Sequence, residues 1–519
     1  MQRRPIDKFP LALVVLLASC SSDPTSSDEP LSIASLVEGD AAIDEPARQI
    51  LADAIVGERL AAIDLDQLAA LTDAGDVVGR SLEFSLAEDL RAKLIIDEIE
   101  VLVPGVRTYS GRVEGDEASH FSLSVEADAM LGVIHTEGYA WMIEPRAGTG
   151  LHAIRQISPA ALPRETNELA LDPGSPVAAD DLKAPAIDQA VLSNGEVRVL
   201  FLVASNVGNG NALAANITAE FNNSLSLSAV APNNYLTVAG VQPIASTFAG
   251  QSRTTLYFDM GNRSGVFSNV DALMAASYAD VAFLLVDEDP SAVDVQGYGR
   301  VGGVAYLNNP NNPFAISTDD YALGDLTALH ELGHVFGGRH EDAGAGAGIA
   351  RPVAYPKNGW MTIMGGYITC GFTGLPATVC VRLNRWSNPD QSYDGRVLGV
   401  AGQSDMESWL EGSMPSVSNW RESPPLPPAA PSPLTKQSEQ CFGFFTMNWA
   451  GVAGATEYQL HASTNVGFTQ PFAVYVGPDT TTWIDVPNGT WYLRARACNG
   501  GGCSSYTSQV SAARINVCL

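Results

Sequence analysis

Positive charge is scarce in this chain of 519 residues: 29 Lys and Arg face 58 Asp and Glu, a formal charge of −29. Phosphate binding needs Lys and Arg to replace counterions, so a nucleic-acid partner is excluded as the main function. Loose electrostatic adhesion to anionic lipid is disfavoured for the same reason. Beyond the first twenty residues no segment is long and apolar enough to cross a bilayer. Histidine is rarer still, seven in all. What is plentiful is apolar material. With 46% hydrophobic and 17% charged residues, the chain can build globular cores and is not disordered throughout. Its length calls for two to four domains.

The N-terminus reads as an export signal. Arg3, Arg4 and Lys8 precede the apolar run Pro10 to Ala18, too short to be a permanent membrane helix. Leu17-Ala18-Ser19-Cys20 resembles the bacterial lipobox, which implies that Cys20 is acylated and becomes the first residue of the mature chain. The expected location is therefore outside the cytoplasm, as a lipoprotein of the bacterial outer membrane or cell surface, or as a form released from it. The lipid anchor is then the one membrane contact. Six further cysteines remain: Cys370, Cys380, Cys441, Cys498, Cys503 and Cys518. An even number in an exported chain suggests disulfides. Spacing favours Cys370–Cys380, Cys498–Cys503 and Cys441–Cys518, with other pairings open.

Composition divides the chain into a signal peptide (1–20), a propeptide-like region with its linker (21–190), a catalytic domain (191–422), a Pro-rich linker (423–433) and a last domain (434–519). The second region shows helical patterning from Glu45 to Leu71 and then short alternating segments, which predicts an α+β unit rich in antiparallel hairpins. From Glu196 the pattern changes. Val197 to Ala204 and Asp280 to Val286 are near-continuous apolar runs, as buried strands require. Leu213, Ile217, Phe221 and Leu225 recur every four residues and predict a helix. Gly303 to Leu307 reads as a short strand and Leu323 to Phe336 as a helix. Strands alternating with helices indicate a layered α/β domain. Six of the eleven residues from Ser423 to Pro433 are proline, so this stretch favours extended polyproline II and acts as a spacer. After it, aromatic and alternating short segments predict a β-sandwich. Asn488 to Cys498 resembles a fibronectin type III strand.

The decisive segment is His330-Glu-Leu-Gly-His-Val-Phe-Gly-Gly-Arg-His340. On a helix His330 and His334 lie one turn apart on one face, so both imidazoles can reach one ion. Glu331 is displaced by about 100° around the helix, beside the metal without ligating it. Gly337 can end the helix, and His340 can then return a third nitrogen. Three protein ligands leave a fourth position for water, the arrangement of a catalytic zinc. These three are the only His between residues 191 and 420.

This motif resembles the signature of the metzincin zinc peptidases. That family has a Met-containing turn downstream, and Trp360-Met-Thr-Ile-Met-Gly-Gly366 supplies one, with Met364 in the corresponding place. Tyr367 follows Met364 by three residues where some relatives have a Tyr ligand at two, so it is not assigned to the metal. Within the metzincins the chain looks most like the adamalysin/reprolysin group. Tyr109 to Gly115 and Gly138 to Pro145 are similar to that group's propeptide pattern. The resemblance implies a mixed twisted sheet with an active-site helix, Gly303 to Leu307 as the strand that pairs with an extended protein or peptide substrate, and a zinc endopeptidase in which Glu331 is the catalytic base. One departure stands out: the propeptide-like region has no Cys after Cys20, so a thiolate cannot block the zinc. Ca²⁺ has no ligand set such as an EF-hand loop to support it. Two other readings stay open: a degenerate peptidase serving as an adhesion lipoprotein, and a zinc amidase acting on cell-wall peptides. The last domain could bind protein or polysaccharide, or act as a spacer.

Overall fold

The computed structural model describes residues 31–37, 54–73, 77–158, 195–287, 302–353, 359–366, 380–421 and 428–514, less short stretches inside these ranges. The first unit is a closed barrel. Its strands are β1 (Leu31–Leu36), β2 (Ile55–Ile63), β3 (Ser81–Ala87), β4 (Leu90–Val103), β5 (Val106–Val113), β6 (His120–Glu126), β7 (Ala129–Thr136), β8 (Tyr139–Arg146) and β9 (Leu151–Ile157), with helix α1 (Leu65–Asp73) after β2. Neighbours run antiparallel in the order β1-β2-β9-β8-β7-β6-β5-β4-β3, and β1 closes the ring by pairing in parallel with β3. Alternation does the sorting: Leu82, Phe84 and Leu86 of β3 all point inward, and Phe121, Ile134, Trp141 and Ile154 join the same core. Closure leaves no exposed sheet edge.

This corrects one expectation. Within the described part of Glu45–Leu71, Ile55–Ile63 is a strand and only Leu65 onward is helical. Pairing with β9, from Ile55 opposite Ile157 to Ala61 opposite His152, overrides the helical propensity of this Leu-, Ala- and Arg-containing stretch. Cross-strand pairs lock it there, since Glu58 accepts from Arg146 and Arg155 at 2.7 and 2.8 Å.

The second unit is layered. Strands β10 (Gly195–Ala204), β11 (Asn234–Ile244), β12 (Val281–Val286), β13 (Gly303–Ala305) and β14 (Phe314–Thr318) form one sheet in the order β11-β10-β12-β14-β13. All pairs are parallel except β13 with β14. The unbroken apolar run of β10 now has its cause: Val199, Phe201 and Val203 feed one core and Leu200, Leu202 and Ala204 the other. Helices α3 (Arg253–Gly261) and α4 (Val270–Ser277) cover the second face. Helix α2 (Gly210–Leu227), α5 (Asp319–Gly324), α6 (Thr327–Val335) and α7 (Met406–Val417) cover the first. The helix expected over Leu323–Phe336 is thus two, broken at Asp325 and Leu326, whose φ of 57° is left-handed.

Helix α2 is the structural hinge-pin of the molecule. Leu213, Ile217, Phe221 and Leu225 face the sheet core as the four-residue repeat predicts. Its opposite side is also buried, because the barrel's β5–β7 wall lies against it, and Val106, Leu131 and Val133 join the second unit's core. Small polar side chains finish this contact: Ser122 donates to Asn216 Oδ1 at 3.0 Å, and Asn216 Nδ2 to the Leu131 carbonyl at 2.8 Å.

The last unit, from Leu434, consists of two antiparallel sheets around Met447, Trp449, Leu460, Ile484 and Leu493. Cys498 and Cys503 form a disulfide there. Cys20, Cys370, Cys441 and Cys518, together with the Cys380 side chain, lie outside the described residues, so the two other pairings were not observed. Phe221 is fully buried, with tilted ring contacts to Phe336 and Trp386 at 5.5 and 5.4 Å. Phe221→Ala is expected to destabilise the layered second unit by about 3–5 kcal/mol, read from the shift of its denaturant unfolding transition.

Candidate metal centre

Helix α6 is buried along its whole length. It carries His330 and His334 on one face, with ring centroids 4.7 Å apart. The helix stops at Phe336 because Gly337 takes φ 94°, a conformation open to glycine. A side chain at Gly337 would also strike Trp409, whose Nε1 lies 2.9 Å from the position of a Cβ. The turn brings His340 back, with its ring 5.1 Å from that of His330 and 4.9 Å from that of His334. Ligand atoms of the three His all lie within 4.8 Å of one another. The sequence-predicted triad is therefore assembled.

Backbone carbonyls set the tautomers. His330 Nδ1 is 2.7 Å from the Ile363 carbonyl and His334 Nδ1 is 2.7 Å from that of Gly338. A carbonyl can only accept, so each Nδ1 carries the proton and each Nε2 presents its lone pair. His330 Nε2 and His340 Nε2 stand 3.1 Å apart. Tetrahedral ligands on zinc at its usual Zn–N distance are separated by about 3.3 Å. The donor set, its spacing and the fixed tautomers of His330 and His334 fit one zinc ion.

Met364 is buried beneath the helix. A Cβ at Gly333 would lie 2.3 Å from Met364 Sδ and 2.9 Å from Trp386 Cζ3, so the residue just before His334 must be glycine for this turn to approach. Glu331 is fully buried, and its carboxylate lies against β13: a Cβ on Gly303 would sit 2.5 Å from Glu331 Cγ and 2.6 Å from Oε1. Tyr367 lies outside the described residues.

Two supports were not legible in the sequence. Buried Arg382, on strand Cys380–Arg382, donates to the Asp325 carbonyl at 2.9 Å, to Asp325 Oδ2 at 3.3 Å and to the Gly365 carbonyl at 3.2 Å. It thereby ties the start of α6 to the turn that carries Met364. Glu341 Oε2 accepts from the Gly366 N–H at 2.9 Å and joins the third histidine's segment to the same turn. Neither pair has a spacing that marks it in advance.

No protein-family model matches the chain. The peptidyl-Asp metalloendopeptidase of Stenotrophomonas maltophilia (strain K279a) is 26% identical over 385 residues, which cover 67% of this chain and 85% of that protein. A protein of the same name from Xanthomonas campestris pv. campestris is 25% identical over 332 residues, covering 62% of this chain and 74% of its own. Among solved structures, a chaperone–substrate complex aligns with a TM-score of 0.34 at 14% identity, over 58% of this chain and 39% of that one. The sixth fibronectin type III domain of a human protein aligns over 19% of this chain and 93% of its own, with a TM-score of 0.16 and 22% identity. Overlaps this small carry no argument about fold. The named relatives, taken with the His triad, support a metallopeptidase. The purified chain is expected to bind one zinc, and His334→Ala to lose it, as measured by elemental analysis after dialysis. Full zinc retention in His334→Ala would place the metal elsewhere.

Proposed function

We propose that this chain is an exported zinc endopeptidase of the metzincin type, closest in pattern to the adamalysin/reprolysin group, with His330, His334 and His340 holding the ion and Glu331 as the catalytic base. The single observation that carries the reading is the pairing of the converged triad with a fully buried carboxylate set against the terminal strand of the sheet. When bound, zinc supplies a Lewis acid that polarises a carbonyl and lowers the pKa of water to about 7.

The protein's own groups do the rest. Glu331 Oε takes a proton from the attacking water and returns it to the nitrogen of the departing amine. The close approach of Gly303 fixes where that carboxylate sits. Strand β13 is the last in its sheet and pairs only with β14 among the described residues. Its remaining edge can take an extended peptide by main-chain pairing, which favours cleavage within a chain over trimming of its ends. The relatives' name supports bonds beside aspartate as the preferred substrate. The lipobox-like Cys20 supports action at the cell surface, and the barrel corresponds to the propeptide-like region read from the sequence.

Hydrolysis of a quenched peptide library by residues 21–519 tests this. Glu331→Ala is expected to abolish cleavage while zinc stays bound, and Gly303→Ala to lower kcat by about a hundredfold through displacement of the carboxylate. Absence of cleavage by the unsubstituted chain, even after proteolysis between the barrel and β10, would favour the adhesion lipoprotein instead.

A further inference from the structure

The chain has seven His, and the metal centre uses three. Two others, His120 on β6 and His135 on β7, meet where the barrel touches the catalytic unit, and both are buried. They are direct cross-strand partners, and their rings stack at 4.2 Å with an interplanar angle of 17°. Each reaches across the boundary to a group of the catalytic unit. His120 Nε2 lies 3.0 Å from Glu220 Oε2 on α2, a carboxylate with no exposure that also accepts from Asn384 Nδ2 at 3.0 Å. His135 Nε2 lies 3.1 Å from the Leu323 carbonyl at the end of α5.

Charge counting shows what this arrangement tolerates. Glu220 is the carboxylate that faces the imidazole pair, 3.0 Å from His120 Nε2. Protonation of both rings would set two cations 4.2 Å apart in a buried space, facing one carboxylate. On the neighbouring strand β8, the residue opposite His135 is the uncharged Ala140. Helix α5 meets His135 through the Leu323 carbonyl and carries Asp319 and Asp320 in its first turn. Asp325, at the end of α5, is already held by Arg382.

We propose that His120, His135 and Glu220 form a proton-operated latch, which keeps the barrel seated on α2 at neutral pH even after the connection 159–194 is cut, and lets it go on acidification. The apolar part of the contact explains retention, since Val106, Leu131 and Val133 share a core with α2. Neutral His135 explains the pH dependence. Burial first, then the charge of His120, holds its pKa well below the ordinary 6.5. The docked state therefore binds fewer protons than the released state. Docking has its full strength above pH 6.5 and loses it as pH falls below that value. This latch does not depend on hydrolysis, so it stands or falls apart from the peptidase assignment.

The test uses residues 21–519 carrying Glu331→Gln to prevent self-cleavage, with a site-specific protease site placed within 165–185. After cutting, the two pieces are followed by analytical ultracentrifugation from pH 8 to pH 4.5. They are expected to sediment together at pH 7.5, with the dissociation constant rising about tenfold per pH unit below 6.5. His135→Gln, which keeps a donor for the Leu323 carbonyl and cannot be charged, is expected to remain associated at pH 5. If that variant does not fold, His135→Asn, which also cannot be charged, is the replacement, with the same expectation. Pieces that separate at pH 7.5, pieces that stay together at pH 4.5, or a substituted chain that parts at the same pH as the parent would each overturn the latch.

Discussion

The metal centre depends on how closely helix α6 approaches the turn that carries Met364. That approach is possible because Gly333 presents no side chain: a Cβ there would overlap Met364 Sδ. With the turn seated, the Ile363 carbonyl reaches His330 Nδ1 and fixes its tautomer, and Arg382 spans from Gly365 to Asp325 at the head of the helix. Glycine serves three different purposes around one site. Gly333 gives clearance for the turn, Gly337 reverses the chain with a positive φ against Trp409, and Gly303 gives room for the Glu331 carboxylate. None of these positions touches a metal, yet each sets where a ligand or the base stands.

Helix α2 couples the barrel to this centre. It packs on the sheet through Leu213, Ile217 and Phe221, and Phe221 in turn meets Phe336 at the end of α6 and Trp386, which lies against Gly333. Its other side carries Asn216 and Glu220 into the barrel wall. One helix thus has the catalytic layer on one flank and the N-terminal barrel on the other. A segment whose sequence shows one apolar stripe is buried continuously from Ala212 to Phe221, and polar partners on the barrel satisfy groups that would otherwise face water.

Much of the site was legible because it is local. The ligand spacing, the base and the helix-ending glycine fall within eleven residues, and their geometry follows from helical periodicity and one turn. Met364 was within reach because its motif follows closely. What remained hidden depends on distance along the chain. Arg382 meets Asp325, and Gly303 meets Glu331, only after the sheet brings their strands together. The barrel was the larger miss, since Ile55–Ile63 has helix-forming residues and becomes a strand through pairing with β9. Closure by β1 against β3 likewise has no local signal. His120 and His135 gave no sign of each other, being ordinary hairpin residues until Glu220 arrives from α2.

The most direct measurement is zinc-edge X-ray absorption on the purified chain. The account predicts a four-coordinate ion with three imidazole nitrogens at about 2.0–2.1 Å and one oxygen. Sulfur in the first shell, or a spectrum with fewer than three imidazoles, would contradict it, because His330, His334 and His340 would then not be what holds the metal.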